Sequence, residues 1–392
     1  MSSFLFVLTQ AIEANSSANI SNVAIINSLI SLGNKVEVLC PYPNNQVDNP
    51  LDERAIISRI GNKPVETISN TKVINNKNNW ARNIIKKFYY LFNVYDRTIT
   101  LSKKVNIEAL KQKQYDYVVS LSDPKTSHIA VMHLKKQGLK YNKWIQYWGD
   151  PLTIDITRLS KLPKPILLKK EKKLLNQADI IIYVSPFTCE AQKKLFKSNS
   201  NKMFFVPPPY PREEEFIEKN PNNHICIGYF GAYESFVRNI MPIYETFSEK
   251  SVPKELELLL VGNSDLQLEE KDNIRILSRV PFKEAETLQS ECDILFCITN
   301  KCGTQIPAKV YYSAATYKPI IIAVDGELSK RMKEYFETFD RFIVCNNDKK
   351  EITKSIHTAI DLIGKCKPCL SLSPKSVAEE FVGIINEIGK NA

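Results

Sequence analysis

From Cys292 to Val324 the chain reads as strand, loop, helix and strand, and this stretch constrains the fold more than any other. Cys292 to Ile298 follows a buried-strand pattern, apolar from Ile294 onward, and Pro319 to Val324 is a second such strand. Such runs fit central strands of a parallel sheet, buried on both faces, which need a crossover between them. Gly303-Thr304-Gln305-Ile306-Pro307 supplies the loop, and a helical segment follows through Tyr311 and Tyr312 to Thr316. A helix whose first turn follows a strand and a glycine aims unpaired backbone N–H groups beyond the sheet edge. That arrangement suits an anion such as a diphosphate.

The same alternation runs along the whole chain. Phe4 to Leu8, Lys35 to Leu39, Tyr117 to Leu121, Lys143 to Tyr147, Asp179 to Val184 and Met203 to Val206 read as strands. Helical patterns lie between most of them, the first carrying Val23, Ile26 and Ile30 and ending at Gly33. Residues 41 to 76 are poor in apolar residues and read as irregular. Tyr210 to Asn223, rich in Pro, Glu and Asn, reads as a linker. A second series of strands follows: Ile225 to Phe230, Leu256 to Val261, Asn273 to Leu277, Asp293 to Ile298, Pro319 to Val324 and Arg341 to Val344. A helix over Lys375 to Ile388 ends the pattern. The expected organisation is an α/β domain over 1–209, a linker over 210–223, a second α/β domain over 224–374 and a terminal helix over 375–392 that packs back on the first domain. Both domains are doubly wound and Rossmann-like. The length of 392 residues suits two cores of this size.

No apolar run approaches the roughly 18–20 residues that span a bilayer. Met1-Ser2-Ser3-Phe4 has no basic region ahead of a long apolar stretch, so no secretory signal is expected there. The nine cysteines have no framework spacing and fit a reducing cytosol. Cys366 and Cys369 form a lone C-x-x-C with no second ligand pair nearby, so no metal site is indicated. The first strand–helix unit lacks G-x-G-x-x-G, which gives no reason to expect a nicotinamide cofactor. No Ser/His/Asp or Cys/His constellation points to a triad hydrolase.

The formal charge of +10 favours acidic partners. It is concentrated. Trp80 to Lys104 carries six Lys or Arg against one Asp, and Lys161 to Lys173 carries six Lys against one Glu. In the first segment Trp80, Ile84, Phe88, Leu91, Phe92 and Tyr95 recur at helical spacing among the cations. Two readings are open: an interfacial helix on anionic lipid, or an ordinary helix whose Trp80, Phe88 and Phe92 pack on the protein's own core. No nucleic-acid reading module is present.

Several segments together resemble retaining GT-B glycosyltransferases of family 4. They are Tyr115-Asp116-Tyr117-Val118-Val119-Ser120 with Ser127-His128, Trp144-Ile145 through Asp150-Pro151, Glu171 to Asp179 with Val184-Ser185, Gly228-Tyr229-Phe230-Gly231 with Arg238-Asn239, Leu260-Val261-Gly262, Ile276 to Pro281 with Ala285 and Leu288, and Gly303 through Pro319. The resemblance implies two domains facing across a cleft and a nucleotide-sugar, UDP- or GDP-linked, on the C-terminal one. It also implies a glycan or lipid-linked oligosaccharide acceptor on the N-terminal one and transfer with retention, without cofactor or metal. It implies a cytoplasmic enzyme, peripheral on the inner membrane face, that builds a bacterial capsule, O-antigen or exopolysaccharide.

On this reading Arg238 and Lys309 neutralise the leaving diphosphate, and Gly231 lets the backbone approach it. Gly303, Thr304 and Gln305 donate N–H groups, and Arg279 and Pro281 lie at the nucleobase. Ser16 and Ser17 lie near the phosphates, and Asp150 and His128 serve the acceptor side. The chain departs from the pattern at Thr304 and Tyr312, where the family carries glutamates, at Tyr317 in place of glycine, and at Ser16-Ser17 in place of a glycine pair. A phenol is a weaker partner for a ribose diol than a carboxylate. A non-catalytic partner subunit and a nucleotide-sugar epimerase of the same fold are the alternatives.

Overall fold

The computed structural model describes residues 1–14, 16–43, 47–61, 78–212, 214–216, 224–249, 253 and 255–390, with the side chains of 78–83, 282, 389 and 390 excepted. The chain divides into two compact units. The first is Met1–Pro207 with Ala378–Ala392, and the second is Pro208–Val377.

The first unit is built on β1 (Ser3–Val7), β2 (Lys35–Pro41), β3 (Ile56–Ile60), β4 (Gln114–Leu121), β5 (Lys140–Trp148), β6 (Ile180–Tyr183) and β7 (Met203–Phe205). All pair in parallel, in the order β3-β2-β1-β4-β5-β6-β7. Its helices are α1 (Ser17–Ser31), α2 (Asn78–Phe92), α3 (Ile99–Ser102), α4 (Thr126–Lys136), α5 (Lys164–Leu175) and α6 (Pro186–Leu195). The second unit has β8 (Ile225–Phe230), β9 (Leu256–Val261), β10 (Ile274–Leu277), β11 (Ile294–Ile298), β12 (Ile320–Val324) and β13 (Ile343–Asn346). These are also all parallel, ordered β10-β9-β8-β11-β12-β13. Its helices are α7 (Met241–Ser248), α8 (Phe282–Glu291), α9 (Ala308–Ser313), α10 (Ser329–Glu337) and α11 (Lys349–Asp361). Helix α12 (Pro374–Lys390) follows, and from Ala378 onward it belongs to the first unit.

Strands β1 and β12 are apolar almost throughout because both faces are covered, whereas the central β4 and β5 carry polar residues such as Asp116 and Asn142 toward their amino ends. Phe4, Leu5, Phe6 and Val7 are at most 1% exposed, as are Ile320 to Val324. In each unit the strand order reverses once, between β1 and β4 and between β8 and β11. In open parallel sheets the loops at the carboxyl ends of those two strands diverge and leave a crevice, where ligands bind.

Residues 41–76 are not irregular throughout. Pro41 ends β2, and Ile56–Ile60 forms the edge strand β3; residues 44–46 and 62–76 lie outside those described. The strand escaped the sequence reading because polar contacts hold much of it. Arg59 pairs with Glu13 and donates to the Pro41 carbonyl at 2.9 Å, and Ser58 donates to Glu37 at 2.6 Å. Glu37, 4% exposed, also accepts from Tyr115 Oη at 2.6 Å and Lys113 Nζ at 2.9 Å, joining β2, β3 and the start of β4. The linker reading shifts as well. Tyr210 is fully buried and its N–H bonds the Leu372 carbonyl at 3.2 Å, so it is part of the second unit. Residues 213 and 217–223 lie outside the described residues.

Glu37→Ala leaves the Tyr115 hydroxyl without its buried acceptor. We expect a loss of about 2–3 kcal/mol in urea unfolding; a loss below about 0.5 kcal/mol would show that the carboxylate does not tie the strands together.

Candidate functional site

In the second unit the reversal point is drawn tight by backbone. A Cβ on Gly262, just past β9, would lie 1.9 Å from the Gly231 carbonyl oxygen, so only glycine fits there. Gly231 itself follows β8 and donates to the Val261 carbonyl at 2.9 Å. A Cβ on it would meet nothing nearer than Tyr229 Oη at 3.6 Å and Arg238 Nη1 at 3.9 Å. A side chain at Gly231 would thus begin in van der Waals contact with the Tyr229 ring and the Arg238 guanidinium.

Arg238 is fixed at both ends of its fork. Its Nη1 donates to the Ala232 carbonyl at 2.8 Å and its Nε to Asn300 Oδ1 at 3.0 Å. Asn300, 5% exposed at the end of β11, donates its Nδ2 to the Gln305 carbonyl at 3.1 Å. The β8 loop and the loop from β11 to α9, which contains both Asn300 and Gln305, are thereby locked together. Gly303 adopts φ +79°, the turn that brings this loop back to the sheet edge. Asn300 was missed from sequence; its signal is a polar residue immediately after a fully apolar strand.

Helix α9 has only six residues. The expected dipole at its first turn is therefore small, and side-chain cations supply most of the positive potential. Lys309 lies in α9, and burial pushes its ammonium below the usual lysine value. Cys297 and Glu286 draw it back up, while Arg279 lowers it further. Cys297, at the end of β11, is pushed up to about 11 by burial, against the opposing pull of its Ser313 hydrogen bond and of Lys309 and Arg238. Lys309 and Arg238 thus both act on the same β11 residue, and Arg279 acts on Lys309. Arg279 and Pro281 are exposed in the segment between β10 and α8. Tyr312 is 8% exposed and Gln305 6% exposed, while Thr304 is half-buried.

In the first unit the reversal point carries a hydroxyl cluster. Thr9 Oγ1 lies 2.6 Å from Thr126 Oγ1, and the Thr9 N–H donates to Ser127 Oγ at 3.1 Å. Beside it lies a hollow of about 330 Å³ whose lining includes Tyr90, Asp96, Asp123, Lys125, Asp155 and Arg158. Lys125 Nζ bridges Asp123 at 3.0 Å and Asp155 at 3.2 Å. Its burial alone would lower its pKa, but Asp123, Asp155 and Asp150 outweigh that and hold it raised. Asp150 is half-buried just past β5. The loop after it is held by Glu171 of α5, fully buried, which accepts the Leu152 and Thr153 N–H groups at 2.9 and 3.0 Å. Lys125 and Glu171 were not singled out from sequence as site residues, since their partners lie on other elements.

Ser16 caps α1, its hydroxyl accepting the Asn19 N–H at 3.3 Å, and Ser17 opens the helix, exposed. His128 stands in the first turn of α4 with no exposed surface. Trp144 Nε1 donates to Ser120 Oγ at 2.8 Å, and Ser120 Oγ and His128 Nδ1 share a hydrogen bond at 2.7 Å. The ring stacks against Trp148, centroids 4.2 Å apart. Burial pushes its pKa down to about 3, with Lys125 adding to the effect. It is a neutral, packed imidazole.

No protein-family model and no curated protein sequence matches the chain. Solved structures do match over nearly all of its length. Sucrose-phosphate synthase from Thermosynechococcus elongatus matches with a TM-score of 0.61 at 13% identity, covering 100% of this chain and 99% of that one. The catalytic domain of starch synthase IV from Arabidopsis thaliana, bound to ADP and acarbose, gives 0.60 at 10%, covering 98% of each. HepE from Anabaena in complex with UDP gives 0.51 at 12%, covering 100% and 99%. These likenesses, with the two parallel sheets of seven and six strands, show that the fold is GT-B.

His128 has a measurable consequence. The unfolded chain protonates it near 6.5, the folded chain near 3. Its contribution to stability is therefore intact above pH 6.5 and is lost as the pH falls toward 3, at up to about 1.4 kcal/mol per pH unit. Between pH 7 and pH 5, wild type should lose about 2 kcal/mol more than His128→Gln in denaturant titrations. Equal losses would contradict the buried neutral state.

Proposed function

We propose that this chain is a glycosyltransferase acting on a nucleoside diphosphate sugar, UDP- or GDP-linked, with a glycan or lipid-linked glycan as acceptor. The transfer proceeds with retention of anomeric configuration and without a catalytic metal. Its place is the cytoplasmic assembly of a bacterial capsule, O-antigen or exopolysaccharide.

The observation that carries this reading is Arg238 at the strand-order reversal of a GT-B unit, its guanidinium held by the Ala232 carbonyl at 2.8 Å and by Asn300 Oδ1 at 3.0 Å. Two of the similar structures hold nucleoside diphosphates, UDP in HepE and ADP in starch synthase IV. In the reaction the bond from sugar C1 to the phosphate oxygen breaks, and its electron pair leaves with the diphosphate. The acceptor oxygen bonds C1 from the same face and passes its proton to the departing phosphate. The protein's part is to hold cations and N–H donors where that negative charge grows. Arg238 is preorganised for this by its bonds to Ala232 and Asn300. Lys309 is partly desolvated, which strengthens its pull on an arriving anion. Gly231 lies beside the Arg238 guanidinium, whose Nη1 is 3.9 Å from where a Cβ would stand, and it is assigned to the phosphates with it. Gly303, Thr304 and Gln305 line the donor loop, with Arg279 and Pro281 toward the base. Asp150 is assigned to the acceptor. His128, buried and neutral, is given no proton to move.

Calorimetric titration with UDP and GDP tests the reading. Wild type should bind one of them, and Arg238→Ala should weaken that binding by about 1.5–3 kcal/mol, roughly ten- to a hundred-fold. Unchanged affinity would remove Arg238 from the phosphates. Binding of neither nucleotide by wild type would sink the donor assignment.

A further inference from the structure

Helix α2 turns an apolar face outward. Ile84, Ile85, Phe88, Leu91 and Phe92 are 45%, 56%, 63%, 46% and 67% exposed. Phe88 and Phe92 meet each other, centroids 5.4 Å apart. At ~100° per residue these five positions fall within an arc of roughly 120°. Tyr90 points the other way: it is 9% exposed, and its carbonyl accepts the Lys161 N–H at 2.9 Å. The helix is therefore seated through Tyr90 and leaves its apolar stripe in solvent. Of the two sequence readings of this segment, packing of Phe88 and Phe92 on the protein's own core is excluded by their exposure. The side chain of Trp80 lies outside the described residues.

Single exposed hydrophobics need no explanation, but a contiguous stripe does. The surrounding charge says what covers it. Lys87 borders the stripe on α2, Lys86 lies farther round the helix, and the Lys161 N–H is bound to the helix backbone; all three residues are exposed. Exposed Arg97 lies over the Tyr89 ring, 5.9 Å from its centroid. Asp96, the one acid of the segment, is engaged by the Thr98 N–H at 2.8 Å and by the Thr98 hydroxyl. The occupant must offer an apolar layer beneath a negatively charged one. A second copy of this chain, itself at +10, brings like charge. An anionic lipid bilayer offers both layers.

We infer that α2 docks the first unit onto an anionic lipid bilayer, lying in the headgroup plane with Phe88 and Phe92 inserted and the lysines reaching up to lipid phosphates. No described helix is long and apolar enough to cross a membrane, so the contact is peripheral. Docking follows from the surface of this unit alone and does not depend on the sugar-transfer reading.

Flotation of the full chain with vesicles tests it. The protein should float with phosphatidylcholine containing phosphatidylglycerol, remain behind with pure phosphatidylcholine, and be released by high salt. The double variant Phe88→Glu, Phe92→Glu alters only exposed positions and should melt like wild type while binding anionic vesicles about tenfold or more weakly. Lys86→Glu with Lys87→Glu should act in the same direction. Failure to float with anionic vesicles, equal recovery on both vesicle types, or undiminished binding by the phenylalanine variant would overturn the inference. So would sedimentation showing a dimer that the same variant dissolves, which would make the stripe a contact between copies.

Discussion

The hydrogen bond between Arg238 Nε and Asn300 Oδ1, at 3.0 Å, is the contact on which the proposed chemistry rests. A free arginine on a loop samples many rotamers and offers an anion little pre-paid geometry. Here the guanidinium is held by Asn300 on one side and the Ala232 carbonyl on the other, and Asn300 in turn holds the Gln305 carbonyl. Two loops that belong to different strands, β8 and β11, become one surface. Hydrogen bonds to charged groups contribute about 1.5–3 kcal/mol each, enough to keep the fork aimed without a bound ligand. The Gly231–Gly262 contact makes the same surface possible from below, because any side chain at Gly262 would push β8 and β9 apart.

Both units place polar groups at the same topological position. In each, strand order reverses once, and the groups the mechanism needs sit at the carboxyl ends of the flanking strands. The two positions differ in electrostatics. The second unit carries Arg238, Lys309 and Arg279 in the segments that follow β8, β11 and β10, the cations we propose for the donor's negative charge. The hollow of the first unit carries Asp96, Asp123 and Asp155 against Lys125 and Arg158, a balance better matched to a neutral hydroxyl-rich ligand. One sheet design thus yields an anion surface and a polar, nearly neutral one.

Strands such as β1 and β12 were legible in the sequence because burial on both faces leaves runs of apolar residues. Ile320 to Val324 or Leu5 to Val7 cannot easily be read otherwise. Ile56–Ile60 was not legible, since Arg59 and Ser58 earn their places through partners on Glu13 and Glu37 that no local pattern reveals. The site divides the same way. Arg238, Gly231 and Lys309 are proposed from the order of segments, whereas the contacts of Asn300 with Arg238 and of Lys125 with Asp155 emerge only when loops from separate strands meet. His128 shows the reverse failure. A histidine at a helix start looks available for proton transfer, yet Ser120 and Trp148, from β4 and β5, enclose it.

Hydrogen–deuterium exchange of the full chain, with and without saturating UDP or GDP, tests the central claim most directly. The account predicts slowed exchange in Phe230–Arg238 and Thr299–Lys309, with the first-unit sheet unaffected. Protection confined to the first unit, or none in these two segments while nucleotide is bound, would contradict it.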